Sequence, residues 1–206
     1  DRHVVIVIDT GRTSAARVGD GARLDAGMEA ALLLAALATR AGDHVHLLMF
    51  DRVVRARVTR VDGDGLPPAM VDAMAPVEPQ LLDTDWDAAT AAMRALGVRP
   101  ALVVLLTAQD EPEAARGFLG SLPALARSAT VLVGTATDGV TDAAGLPRTD
   151  ADDVYRVAAA ERALRDAERV AGAIARAGAE AIADDPDSLP PRIADRYIAL
   201  KASGRL

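Results

Sequence analysis

No cysteine occurs in these 206 residues. Disulfides, thiolate zinc sites and cysteine nucleophiles are therefore excluded, and a cytosolic setting fits. Aromatic residues make up only 2% of the chain, so a core must be assembled mainly from Ala, Val and Leu. Lysine occurs once, at Lys201, and arginine carries nearly all the positive charge. A net charge of −7 argues against a nucleic-acid platform, which needs a basic face. No run of like charge forms an acidic tail or a basic arm. The longest apolar stretch, Ala30 to Ala38, is too short to span a bilayer, and no signal peptide is visible. The chain opens on Asp1, without methionine and already beside an apolar run. A single domain, 1–206, excised from a longer protein is the expectation.

What is present begins with His3-Val-Val-Ile-Val-Ile-Asp9, followed at once by Thr10-Gly-Arg-Thr-Ser14. Such a run reads as a fully buried strand of a parallel sheet, with Asp9 at its carboxyl tip. Ligands of open α/β sheets sit beyond those tips. Leu24, Met28, Ala31, Leu32 and Ala35 then repeat at helical spacing, and Gly42 stops the helix. Val45 to Phe50 reads as a second buried strand. Asp51-Arg52 reverses the chain into Val53 to Val58, whose Val/Arg alternation marks an antiparallel edge strand. A Gly/Pro/Asp stretch from Asp62 to Pro68 precedes a short helix at Met70 to Met74, and another helix covers about Asp85 to Leu96. Ala101 to Thr107 is a further strong strand, and Pro112 suits the first turn of the helix after it. Thr130 to Gly134 reads as a strand, Thr135 to Thr149 as a polar loop and Val154 to Ala177 as the longest helix. Ala179 to Ala183 is a short last strand, and Pro190-Pro191 opens a terminal helix. The alternation predicts a doubly wound, mostly parallel Rossmann-like sheet with one short antiparallel edge strand and helices on both faces.

The first turn admits several chemistries. Its polar residues can simply turn the chain and cap a helix. Asp9 also resembles the nucleophile of haloacid dehalogenase-type phosphotransferases, with Thr107 holding a phosphate oxygen. That mechanism needs a second acid two residues on and a nearby lysine. Gly11 stands at the first position, and Lys201 lies in the terminal helix. Asp9-Thr10-Gly11 also looks like an aspartic protease turn, faintly echoed by Leu81-Leu-Asp-Thr84, but those enzymes are all-β.

A longer series of segments carries a more specific likeness. It comprises Val5–Thr13, Arg23-Leu-Asp25, Ala41-Gly-Asp43, Leu48-Met-Phe-Asp-Arg52 and Asp83-Thr-Asp-Trp-Asp-Ala-Ala89. It continues with Leu102–Thr107, Asp153-Val-Tyr-Arg156 and Arg196–Leu206. In that order they resemble the von Willebrand factor A-like C-terminal domain of a bacterial family of unknown function associated with MoxR-type AAA+ ATPases. The resemblance implies a non-enzymatic adaptor that works with such an ATPase and an unknown client protein in chaperone-like assembly or maturation. It also implies a cytoplasmic location, at the inner face of the cell membrane through segments upstream of this domain.

Domains of this type often hold Mg²⁺ or Mn²⁺ in a metal-ion-dependent adhesion site. There hydroxyls and a few carboxylates supply oxygens to a hard cation, and a partner carboxylate completes the shell. The resemblance places Asp9 and Thr13 at the first and last ligand positions of the first loop and Thr84 at the second-loop threonine. Gly11 replaces a serine, and Ala108 replaces the third-loop aspartate, leaving Asp110, close in sequence, and Asp83 or Asp85 as carboxylates able to reach in. A degenerate site is expected. Arg12, Ser14, Asp85 and Trp86 are the residues expected to meet a partner.

Other polar features have simpler readings. His3, His44 and His46 gather at strand entries, where local hydrogen bonding competes with a Zn²⁺ or Ni²⁺ site. Asp138-Gly139 and Asp142 either shape the strand-tip crevice or turn the chain. The charges of the long helix, Glu161 to Arg169, read as a solvated face.

Overall fold

The computed structural model describes residues 2–138 and 151–206. Gly139 and Asp142 therefore lie outside the described residues.

The chain runs β1 (His3–Asp9), β2 (Arg17–Val18), β3 (Gly21–Ala22), α1 (Arg23–Arg40), β4 (His44–Phe50), β5 (Val54–Val58) and α2 (Leu66–Met74). It continues with α3 (Trp86–Arg94), β6 (Pro100–Leu106), α4 (Arg116–Ala126), β7 (Thr130–Ala136), α5 (Ala151–Arg176), β8 (Glu180–Asp184) and α6 (Leu189–Ala202). Six strands form one sheet in the order β5-β4-β1-β6-β7-β8. All neighbours are parallel except β5, which pairs antiparallel with β4 at the edge. The expected doubly wound sheet and its antiparallel edge are both present. The strand order reverses at β1, between β4 and β6, and in such sheets the ligand crevice lies at that reversal.

Residues of β1 alternate between two cores. Val4, Ile6 and Ile8 face α1, α2 and α6, whereas Val5 and Val7 face α3, α4 and α5. Few aromatics are needed because the helices lie close to the sheet. Ala30, Ala31, Ala35 and Ala38 of α1 are fully buried, and Gly27 comes close to Ile8 and Leu106. The helix stops where Gly42 adopts φ +78°, letting the Asp43 N–H return to the Ala38 carbonyl at 2.9 Å.

Several boundaries shift by a few residues from the sequence expectation, and the two proline-bearing ones have a clear local reason. The helix expected at Met70 starts at Leu66, since Pro67 and Pro68 sit in its first turn, where the missing N–H groups have no intrahelical role. Pro112 lies in a turn before α4, not within its first turn. Its fixed φ suits that turn equally well, so local preference could not separate the two.

The entrance end of the sheet is closed by a polar staple. Asp43, buried just before β4, accepts from the Tyr197 hydroxyl and the Lys201 ammonium, each at 2.7 Å. Those two bonds tie α6 to the α1–β4 turn and give the lone lysine a structural task. Burial works to raise the Asp43 carboxyl, but the bonds from Lys201 and Tyr197 outweigh it and hold the group below its ordinary value. Burial and the same carboxylate push the Tyr197 phenol up.

Candidate functional site

At the opposite end, the carboxyl tips of β1, β4 and β6 converge on Asp9. Its Oδ1 accepts from the Thr84 hydroxyl at 2.5 Å and from the Gly11 N–H at 2.8 Å. Its Oδ2 accepts from the Thr107 hydroxyl at 2.6 Å. Thr84 is held there because residues 80–85 are pinned across the strand tips. The Gln80 N–H bonds the Thr10 carbonyl, the Arg12 N–H bonds the Leu82 carbonyl, and the Asp85 N–H bonds the Asp51 carbonyl. Thr107 follows directly after β6, and its hydroxyl also accepts from Gln109. Asp9 is almost wholly buried. Burial raises its carboxyl above the ordinary value against the pull of the two threonines and Gly11, and Asp51 adds to the rise.

Gly11 is explained by space. Its φ is −72°, an ordinary value for any residue. A Cβ there would press into the Thr84 hydroxyl and come within 2.8 Å of the Leu82 carbonyl oxygen. The serine of a metal-ion-dependent adhesion site has no room, because its place is taken by the threonine that bonds Asp9 directly.

Asp51, at the tip of β4, is a fully buried carboxylate. It receives the Arg55 guanidinium through two bonds of 2.7 and 3.0 Å and the Thr10 hydroxyl at 3.0 Å. Burial works to raise its carboxyl, but Arg55, the Arg52 N–H and Thr10 bring it below the ordinary value. The sequence reading took Asp51 as part of a simple reversal. Its position at a strand tip beside Asp9 was the available signal.

Arg23 is the other group the sequence reading did not assign. It opens α1, where the positive end of the helix dipole disfavours a cation, so its reason for being there is tertiary. Its Nε–H bonds the Ala136 carbonyl at the end of β7 at 2.9 Å. Its terminal nitrogens reach the Thr13 carbonyl at 3.1 Å and both Asp110 oxygens at 3.2 and 3.3 Å. A cavity of about 20 Å³ between Arg23, Asp9, Thr13 and Thr107 has room for about one water. Asp138 closes over this region by accepting from the Gly19 N–H, between β2 and β3.

The predicted site residues thus separate into three groups. Asp9 and Thr84 meet, and Thr13 lines the same crevice. Asp110 does not reach Asp9; its carboxylate is turned to Arg23. Of the expected partner contacts, Arg12 and Asp85 are exposed, and Arg12 pairs with Asp83 at 2.7 Å. Trp86 and Ser14 are not surface groups. Trp86 packs edge-on against Phe118 in the core, and the Ser14 hydroxyl bonds the Gly11 carbonyl. A tryptophan just inside a helix was ambiguous between anchor and core, and the apolar face of α3 decides for core.

These residues do not fit a divalent cation. A hard cation takes about six oxygens. Here both Asp9 oxygens are occupied by hydroxyl and amide donors, Gly11 and Ala108 offer none, and Asp110 serves a guanidinium. Among the described residues no group of three or more His, Asp or Glu side chains is placed to hold a metal. The three histidines satisfy one another locally: His3 Nδ1 lies 3.0 Å from His46 Nε2, His46 Nδ1 lies 2.8 Å from the Thr59 hydroxyl, and His44 meets Asp62. The phosphotransferase reading also loses its parts. No acid replaces Gly11, and Lys201 bonds Asp43 at the far end of strands roughly 20 Å long.

Comparison with known proteins agrees with this architecture. Residues 1–138 match the family described as "Protein of unknown function DUF58". No curated protein matches. Among solved structures, the SpRpn10 VWA domain is similar at 10% identity, with a TM-score of 0.56 over 95% of this chain and 94% of that one. BatB from Bacteroides thetaiotaomicron is similar at 17% identity and TM-score 0.56, over 98% of this chain and 100% of that one. An aerotolerance-related membrane protein from Bacteroides fragilis is similar at 15% and 0.54, over 97% and 100%. The fold is von Willebrand factor A-like. Among the described residues, no helix is long and apolar enough to cross a membrane.

Proposed function

Since this chain belongs to the DUF58 family of proteins of unknown function, we propose that it is a non-enzymatic protein-binding domain. In this reading it is an adaptor that works with a MoxR-type AAA+ ATPase in assembly or maturation of a client protein. It sits at the inner face of the cell membrane as part of a longer parent. The observation that carries the reading is the commitment of Asp9: both its oxygens are consumed by Thr84, Thr107 and Gly11. Among the described residues the crevice presents no paired nucleophile and base, and such a crevice is suited to recognition, not turnover. Around it the rim offers a contact surface. Leu81 is 80% exposed on the segment that carries Thr84, Val53 and Val54 are exposed after the tip of β4, and Arg12, Asp83 and Asp85 are exposed charges on the strand-tip segments. Exposed apolar residues ringed by charge mark interaction sites. One solved neighbour is described as a membrane protein, which supports the membrane-linked parent.

The test is capture of the purified ATPase encoded beside this protein, with ATP, ADP or no nucleotide. Capture in at least one state, weakened by Leu81→Asp, is the expected result. Absence of binding in every state, with the domain folded by circular dichroism, would overturn the reading.

A further inference from the structure

We propose that the crevice takes its positive charge from Arg23 in place of a metal, and that it recognises a carboxylate of its protein partner on that guanidinium. The inference rests on the protein-binding reading of the same crevice. In the metal-dependent arrangement a cation sits among strand-tip oxygens and leaves one direction open for a partner's acid. Arg23 reproduces that arrangement covalently. Its guanidinium is fixed from behind by two neutral carbonyls, of Ala136 and Thr13, so neither cancels its charge. The side chain is 13% exposed, and its open direction carries Asp110, which is 57% exposed.

Asp110 occupies the place a partner acid would take, and it does so loosely. Its two bonds are 3.2 and 3.3 Å, beyond the 2.7–2.9 Å typical of charge-assisted pairs. Across the same rim, Arg55 grips the fully buried Asp51 at 2.7 and 3.0 Å. One arginine–aspartate pair is locked inside the fold, and the other faces solvent from an irregular segment between β6 and α4. Exchange of an exposed carboxylate for another costs little, because the geometry of the planar fork is already set.

The test uses nuclear magnetic resonance of the whole domain, following the Arg23 side-chain Nε–Hε signal and the Asp9, Thr13 and Thr84 amides. Two probes separate the sources of the carboxylate: acetyl-Gly-Asp-Gly-amide for a side chain and acetyl-Gly-Gly-Gly with a free C-terminus for a chain end. Acetyl-Gly-Asn-Gly-amide is the control. A saturable shift of the Arg23 signal by either acidic probe and not by the control is expected. Asp110→Asn, a surface change, should tighten that binding about two- to fivefold, the worth of a part-exposed ion pair. Arg23→Lys, which keeps the charge but not the fork, should weaken it. Mn²⁺ should not broaden the Asp9, Thr13 or Thr84 amides in a saturable way. Saturable Mn²⁺ broadening there, or no response to either acidic probe, or probe binding indifferent to both variants, would overturn the proposal. ATPase capture unchanged by both variants would count against this inference alone, whereas probe binding without ATPase capture would count against the adaptor reading alone.

Discussion

Asp43 at the entrance end of the sheet and Asp9 at the tip end are both buried, and the two are treated in opposite ways. At the entrance end Asp43 is met by an ammonium and a phenol, and its carboxyl lies below the ordinary value. At the tip end Asp9 is met by neutral hydroxyls and an amide, with no cation on it, and its carboxyl lies above the ordinary value. The nearest cations at the tips, Arg55 and Arg23, are spent on Asp51 and Asp110. The entrance end is neutralised and holds the last helix in place. The tip end keeps a buried carboxyl whose charged form no cation supports, an arrangement that costs stability and is characteristic of sites that serve something other than folding.

The largest effect that would break this contrast comes from the entrance. Asp43→Asn leaves the Tyr197 hydroxyl and the Lys201 ammonium only a neutral amide oxygen in place of their shared carboxylate and should destabilise the domain by about 3 kcal/mol. Lys201 is partly exposed and keeps its bond to the Ala41 carbonyl, so the loss falls at the lower end for a broken buried pair. Urea denaturation at neutral pH measures it. A cost no larger than that of the matching Asp9→Asn change would mean that the two ends are equivalent.

A smaller effect sharpens the account of the tip. Gly11→Ser should destabilise by about 2 kcal/mol, because its Cβ must displace Thr84 or the Leu82 carbonyl. It should gain no Mg²⁺ affinity, since the added hydroxyl arrives at the expense of the threonine that holds Asp9. Titration calorimetry and urea denaturation of the same sample check both halves. A serine variant as stable as the parent that binds Mg²⁺ would show a vacant ligand position, not a filled one.

Much of the fold is legible in the sequence because its signals are local. The continuous Val/Ile/Leu runs at 4–8 and 102–106 can only be strands covered on both faces, and Gly42 stops a helix by its own backbone freedom. The meeting of Asp9 with Thr107 follows once both stand at or just after the tips of neighbouring strands, whereas Thr84 joins them from the segment between α2 and α3. What stays hidden depends on pairs far apart in the chain. Arg23 and Asp110 are 87 residues apart, and nothing local marks either as the other's partner. The reason for Gly11 lies in Leu82 and Thr84, not in its own dihedral angles. The burial of Trp86 depends on Phe118 of α4. Packing partners of this kind are set by the assembled sheet and leave no mark on either segment alone.

The finest difference between the two ends is the sign of their response to acid. For Asp43 the folded carboxyl titrates below the unfolded one, so its contribution is present above about pH 4 and is lost as pH falls through the folded value. For Asp9 the folded carboxyl titrates above the unfolded one. The native state then binds the proton first, and stability is regained as pH falls from the folded value towards the ordinary carboxylate range. Asp43→Asn should therefore cost about the same from pH 7 down to about pH 4 and progressively less below it. Asp9→Asn should cost progressively more as pH falls through the folded carboxyl's value towards the ordinary carboxylate range, because the variant lacks the gain that protonation brings the parent. Urea denaturation of both variants at pH 7, pH 4 and pH 3 gives the comparison directly. If the two costs move in the same direction with pH, then Asp9 is neutralised in the native state by a charge the crevice does hold, and the argument that Arg23 faces outward to a partner loses its electrostatic basis.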